Sequence, residues 1–239
     1  MKLNLIVATT LLALATQAAP QTAPTSVTDF NELQKEITNN NKSSSGDTKL
    51  SIDANLTANA DLTEVSQSLT LTGKDATKTL DGAKAHKGFV VKGTGTKLTL
   101  KDLLLQNFHA SAVTVESGSV ADITNVTFSG NSADRDGGAI YNYNGTATIT
   151  NTKFENNKAT GNGGAIYNFA PSGNGSATIT NSFFISNNAS GNGGAIYNFA
   201  PSGNGSATIT NSFFISNNAS GNGGAIYNFA PSGNGSATI

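Results

Sequence analysis

Residues 161–190 read GNGGAIYNFAPSGNGSATITNSFFISNNAS; residues 191–220 repeat them letter for letter, and 221–239 run into a third copy. Upstream the copies are looser but keep the same landmarks. Phe128-x-x-Asn131 precedes Gly137-Gly138-Ala139-Ile140, and the order recurs at Phe154/Asn157 with Gly163 to Ile166, at Phe184/Asn187 with Gly193 to Ile196, and at Phe214/Asn217 with Gly223 to Ile226. In every copy the Phe stands nine residues before the first Gly. Short segments of the form LTL or TIT extend the series, centred on Leu71, Leu100, Ile123, Ile149, Ile179, Ile209 and Ile239. Their spacing of 23 to 30 residues grows to 30 through an Ala-Pro-Ser-Gly stretch beginning at Ala170 and Ala200, where turn residues belong. A fixed period of this length marks a solenoid.

Strands of four or five residues, divided by turns and stacked about 4.8 Å apart, are one coil of a parallel β-helix. The pattern predicts a right-handed parallel β-helix of six to seven coils over 49–239. Alternation along Ala177-Thr178-Ile179-Thr180 turns Ala177 and Ile179 to one side and the threonines to the other. Stacking then aligns Ile123, Ile149, Ile179 and Ile209 in one apolar column. Phe128, Phe154, Phe184 and Phe214 form a second, and Ile140, Ile166, Ile196 and Ile226 a third. Two asparagine columns accompany them, Asn125/Asn151/Asn181/Asn211 and Asn131/Asn157/Asn187/Asn217, each able to hydrogen-bond along the axis because an amide both donates and accepts. The paired glycines suit a corner that needs positive φ or close backbone approach.

Residues 1–19 read as a signal peptide: Lys2, an apolar run from Leu3 to Ala15, then small residues at Ala13-x-Ala15 and Thr16-x-Ala18. That run is too short for a membrane span of about 20 residues. In the 20–48 segment, Asp29-x-x-Glu32 resembles a capping box, and Phe30, Leu33 and Ile37 follow at helical spacing, so a short helix is expected to cover the first coil. Asn39 to Gly46 reads as a polar loop. No such cap is expected at the other end, since Ile239 falls inside a strand pattern; the sequence reads as part of a longer array.

Only 12% of residues are charged and the formal net charge is −1, so no basic surface is available to neutralise nucleic-acid phosphates. Cysteine is absent, which leaves packing and backbone pairing to hold an exported chain. Residues 161–239 contain no Asp, Glu, Lys, Arg or His. General acid–base chemistry has nothing to work with there. Asp134, Arg135, Asp136 and Glu155 decorate the preceding coils, with Asp136 aligned to Asn162 as a turn residue, and His86 and His109 stand in unlike loops. No catalytic, cofactor or metal site is expected; a polysaccharide lyase or hydrolase built on a β-helix is the enzymatic alternative.

The GGAI and F-x-x-N motifs, alternating along 128–226, resemble the polymorphic outer membrane protein repeats of chlamydiae. That resemblance implies a β-helical passenger displayed at the cell surface, acting in adhesion and carried by a C-terminal autotransporter barrel. The departures are the absence of cysteine, coils before Phe128 without the motif, and no barrel segment within this sequence. The implied partners are a host-cell surface protein or glycan, with outer-membrane association through a region not included here. The candidate contact face is Tyr141, Tyr167, Tyr197 and Tyr227, expected to point outward beside the Ile column, with Phe183 and Phe213, which take the place of Thr127 and Lys153 in earlier coils. A purely structural display repeat is a further alternative. Outward Thr-x-Thr rows (Thr148/Thr150, Thr178/Thr180, Thr208/Thr210) suggest an ice-binding lattice, against which the uneven coil lengths argue.

Overall fold

Each four- or five-residue apolar–polar alternation in the chain becomes a strand, and every paired strand lies parallel to its neighbour. The computed structural model describes residues 23–43 and 47–239; the signal segment expected at 1–19 lies outside them. The chain winds into a parallel β-helix. Its main sheet stacks Thr25–Val27, Thr48–Ile52, Leu69–Gly73, Lys97–Gln106, Val120–Ser129, Thr146–Thr150, Asn174–Thr180, Asn204–Thr210 and Ser236–Thr238, nine strands and so about eight turns rather than six to seven. The difference lies at the N-terminus. Thr25–Val27 pairs with Thr48–Ile52, two strands upstream of the first recognisable repeat.

Like residue lies over like residue. Leu50, Leu71, Leu100, Ile123, Ile149, Ile179 and Ile209 are successive register partners, all buried. The Phe column continues a second limb of the same sheet: Phe128, Phe154, Phe184 and Phe214 stack with ring centroids 4.7–4.9 Å apart and planes within 5°. Above Phe128 the same column is filled by Leu105, Leu80 and Leu56. Ile140, Ile166, Ile196 and Ile226 register in a separate sheet, continued upstream by Val113 and Phe89. A third, short sheet of Ser132–Ala133, Lys158–Ala159, Asn188–Ala189 and Asn218–Ala219 closes the coil. The extra residues of the longer coils fall in the Ala170–Gly173 turn, so Thr148, Thr178 and Thr208 stay in register. Uneven coil length therefore does not break the threonine rows.

The asparagines divide by role. Asn131, Asn157, Asn187 and Asn217 form a ladder, each Nδ2 donating to the next Oδ1 at 2.9–3.0 Å and to a backbone carbonyl of an earlier coil. Asn125, Asn151, Asn181 and Asn211 do not form one. They are exposed corner residues at φ 49–55°, the left-handed region that asparagine tolerates better than most residues. The paired glycines split similarly. Gly137, Gly163, Gly193 and Gly223 hold φ of 63–67°, whereas a Cβ on Gly164 would overlap the Gly194 carbonyl of the next coil.

The helix Phe30–Lys42 covers the open first coil and buries Phe30, Leu33 and Ile37. Asp29 accepts from the Glu32 N–H at 2.9 Å, and Glu32 reaches back to the Thr28 N–H, one residue earlier than a strict capping box. The helix runs through Lys42, so Asn39 to Lys42 are helical rather than loop. Their amides explain why. Asn40 donates to the carbonyls of Gln67 and Ser68, Asn41 pairs with Glu64 O and Ser66 N–H, and Gln34 pairs with Asp61 O and Thr63 N–H. Side chains of the helix thus satisfy backbone groups that a preceding coil would otherwise bind.

Candidate functional site

The strands Ile140–Tyr143, Ile166–Phe169, Ile196–Phe199 and Ile226–Phe229 turn Ile and Asn inward and aromatic rings outward. Two aromatic columns result. Tyr141, Tyr167, Tyr197 and Tyr227 follow one another at 5.2–5.6 Å between centroids. Tyr143, Phe169, Phe199 and Phe229 follow at 5.5–5.8 Å. Within each of the last three strands the two rings are nearly parallel, 5.3–5.8 Å apart. All five tyrosines of the protein stand in these columns.

The inward Asn of the same strands forms a second ladder, buried from Asn142 to Asn198, that motif reading passed over. Asn142, Asn168, Asn198 and Asn228 are linked Nδ2 to Oδ1 at 2.6 Å. Their amides also bind carbonyls across the coil, such as Ser176 and Ser206. This ladder ties the aromatic strands to the main sheet and fixes where the rings project.

The expected exposure of the tyrosines is only half met. Tyr141 and Tyr227 are partly exposed, but Tyr167 and Tyr197 are each 5% exposed. Alternation sets the side of the strand on which a ring lies, not what folds over it. Here the neighbouring rings do: Tyr167 lies between Tyr141 and Tyr197 and beside Phe169, and Tyr197 lies between Tyr167 and Tyr227 and beside Phe199. Burial holds the Tyr167 phenol far above its ordinary value of 10.0, with nearby Asp136 adding to the shift. Tyr197 is pushed up to about 12, again chiefly by burial. Because the folded phenols resist ionisation above the unfolded pKa, the stability they contribute is complete below about pH 10 and is lost as pH rises through the folded values. Alkaline titration of tyrosinate absorbance should therefore show Tyr197 titrating near pH 12 and Tyr167 only with unfolding. Titration of Tyr167 and Tyr197 near pH 10 in the folded protein would contradict the packing.

Phe183 and Phe213 lie elsewhere, on the outer face of the second limb of the main sheet. They are 44% and 57% exposed and stacked at 5.3 Å, next to exposed Ile215. They register with Lys153 and Thr127 as expected. The six candidate residues thus form two separate surfaces.

Beside the N-terminal rungs of the aromatic columns a cleft of about 560 Å³ opens, lined by Tyr141, Tyr167 and Phe169 together with Asp134, Arg135 and Asp136. Asp136 accepts from the Asn162 N–H and Nδ2 at 2.7 and 2.9 Å, the turn role expected of it. Asp134 pairs with His109 at 3.0 Å, a juxtaposition that loop assignments could not foresee. Among the described residues no three His, Asp, Glu or Cys side chains gather as metal ligands.

Stacked coils, internal asparagine ladders and one outward aromatic strip define a β-solenoid repeat protein. Residues 125–143 and 151–169 of it match the family model of the Chlamydia polymorphic membrane protein repeat. Both stretches run from the corner asparagine through F-x-x-N and GGAI to the outward aromatic pair, and the identical later copies keep those landmarks. No curated protein matched the chain. Repeat and fold together fit a protein displayed at a surface.

Proposed function

We propose that the chain is an exported, non-catalytic attachment module, an adhesin-like solenoid carried at the cell surface and reaching a host protein or glycan through the outward aromatic strip. The observation that carries this reading is the pair of aromatic columns, four rungs long, on the outside of an otherwise weakly charged solenoid. Buried rings elsewhere in the chain fill the core; these stand outside it. Aromatic side chains offer large contact area with few rotamers to freeze. The absence of acidic, basic and imidazole side chains from 161–239 supports binding rather than acid–base catalysis along this strip. Export through the N-terminal apolar segment, and outer-membrane association through a partner region, complete the proposal.

The test uses Phe199 and Phe229, whose rings belong to the partly exposed outer column. The double variant Phe199→Ser/Phe229→Ser should keep its circular dichroism spectrum and lose at least about tenfold in cell attachment, the loss expected from removing interface aromatic contacts. Undiminished attachment by that folded variant would overturn the reading.

A further inference from the structure

Stacking in the tyrosine column is interrupted at one end. Each of Tyr167 and Tyr197 has a ring on both axial sides, but Tyr141 has a ring only toward the C-terminus. On its other side the register partner is Thr114, and beyond it Val90. The cleft of about 560 Å³ reaches this place, since both Thr114 and Tyr141 line it, and it continues along the column to Tyr167. Its walls combine an aromatic face with polar groups of both kinds. Thr114 makes no side-chain hydrogen bond among the described residues, and Ser111 Oγ, which donates to Gly137 O, can still accept.

The charges around the cleft are not equally engaged. Asp134 is held by His109, and one oxygen of Asp136 is held by Asn162, which leaves the other free to accept a hydroxyl. Arg135 is the only arginine in the protein. It is exposed, lines the cleft, and its guanidinium has no ion-pair or hydrogen-bond partner among the described residues. A planar guanidinium without a partner matches a carboxylate through two parallel N–H···O bonds. A flat apolar face, hydroxyl and carboxylate acceptors, and a carboxylate-binding fork suit a sugar that carries a carboxylate. We propose that the cleft binds a hexuronate ring as the missing rung of the column, its C–H face on Tyr141, its carboxylate on Arg135 and a ring hydroxyl on Asp136. This rests on the attachment reading, and it names both a ligand class and a place for it.

The protein holds no tryptophan, and all its tyrosine fluorescence comes from the two aromatic columns, in which Tyr141 and Tyr167 line the cleft. Titration with methyl glucuronide, followed by fluorescence and by calorimetry, should give saturable binding, weaker for methyl glucoside. Arg135→Gln should weaken glucuronide at least about tenfold, the scale of a lost hydrogen bond to a charged group, and leave glucoside unchanged. Thr114→Tyr should supply the missing ring, abolish binding of both sugars and leave the melting temperature no lower. No saturable glucuronide binding, equal binding of the two sugars, full binding by a folded Thr114→Tyr variant, or tighter binding of N-acetylphenylalaninamide than of glucuronide would each overturn the assignment. Phe199 and Phe229 lie outside the cleft lining, so the two proposals fail separately. Wild-type protein that attaches to cells but ignores glucuronide loses only the cleft.

Discussion

Phe154→Ala should destabilise the solenoid by about 3–5 kcal/mol, in the upper half of that range. Phe154 is fully buried, with Phe128 at 4.9 Å on one side and Phe184 at 4.7 Å on the other, planes within 5°. Truncation removes the transfer free energy of the ring and two stacked contacts worth about 0.5–1.5 kcal/mol each. The cavity left behind cannot close easily. The coils above and below are held at their spacing by backbone pairing on both sides of the site, Lys153–Glu155 to Thr127–Ser129 and to Phe183–Ile185. Phe154→Leu is the control. Leu105 already fills this column one coil above Phe128, fully buried, so the backbone accepts leucine there and the loss should be well below that of alanine. Urea unfolding of both variants checks this, with the midpoint carrying the effect. Equal losses for Ala and Leu would mean that ring stacking, not volume, holds the column; no loss for Ala would mean that the column is not the core. Because coils touch only their neighbours, a weakened central coil should also broaden the transition or split it.

How much of this was legible before coordinates follows from what a period can say. Exact repetition fixes register, so Ile149 over Ile179 and Phe154 over Phe184 could be read directly, as could the corner glycines. Upstream the same columns were hidden, because Leu56, Leu80 and Leu105 fill the Phe position without any motif to mark it. The core asks for volume and apolarity, and leucine supplies both. The Asn142 ladder was hidden differently: its asparagine sits between aromatic letters in IYNY and IYNF and was absorbed into an aromatic strand. The helix amides of Gln34, Asn40 and Asn41 looked like ordinary polar surface, since nothing local shows that a coil edge lies across from them. For Tyr167 and Tyr197 alternation gives the side of the strand, but their burial depends on the rings stacked on either side, which alternation does not reveal. The cleft has the weakest sequence signal of all. It arises where a column begins, at Thr114 above Tyr141, and at the single Arg135, and a reading built on repetition does not register what occurs once.

The second large effect concerns the direction in which the asparagine ladders run. In the Asn131–Asn217 ladder each Nδ2 donates toward the C-terminus, so every member except the last must donate. In the ladder through Asn162, Asn192 and Asn222 each Nδ2 donates toward the N-terminus, and the first member need only accept. That first member is Asp136. A carboxylate fits there, which is why Asp136 belongs to the fold and why Asp136→Asn should stay within about 0.5 kcal/mol of the parent. Asn157 is the opposite case. It is fully buried; its Oδ1 accepts from the Asn131 N–H and Nδ2, while its Nδ2 donates to Phe128 O and Asn187 Oδ1. Asn157→Ala strips partners from at least one buried N–H and one buried carbonyl, at about 1–3 kcal/mol each, for a total on the order of 4 kcal/mol. Asn157→Asp should be at least as damaging at pH 7, since it sets a buried carboxylate against two acceptors. Protonation would restore one donor, so the folded pKa of that carboxyl is raised above its unfolded value near 3.9. The sign is then fixed: the deficit of Asn157→Asp is smallest at acid pH and grows as pH rises through the folded pKa. Urea melts at pH 4 and pH 7 should bring Asn157→Asp closer to the parent at the lower pH while leaving the Asn157→Ala deficit nearly constant. A pH-independent deficit for Asn157→Asp, or a large one for Asp136→Asn, would contradict these ladder directions.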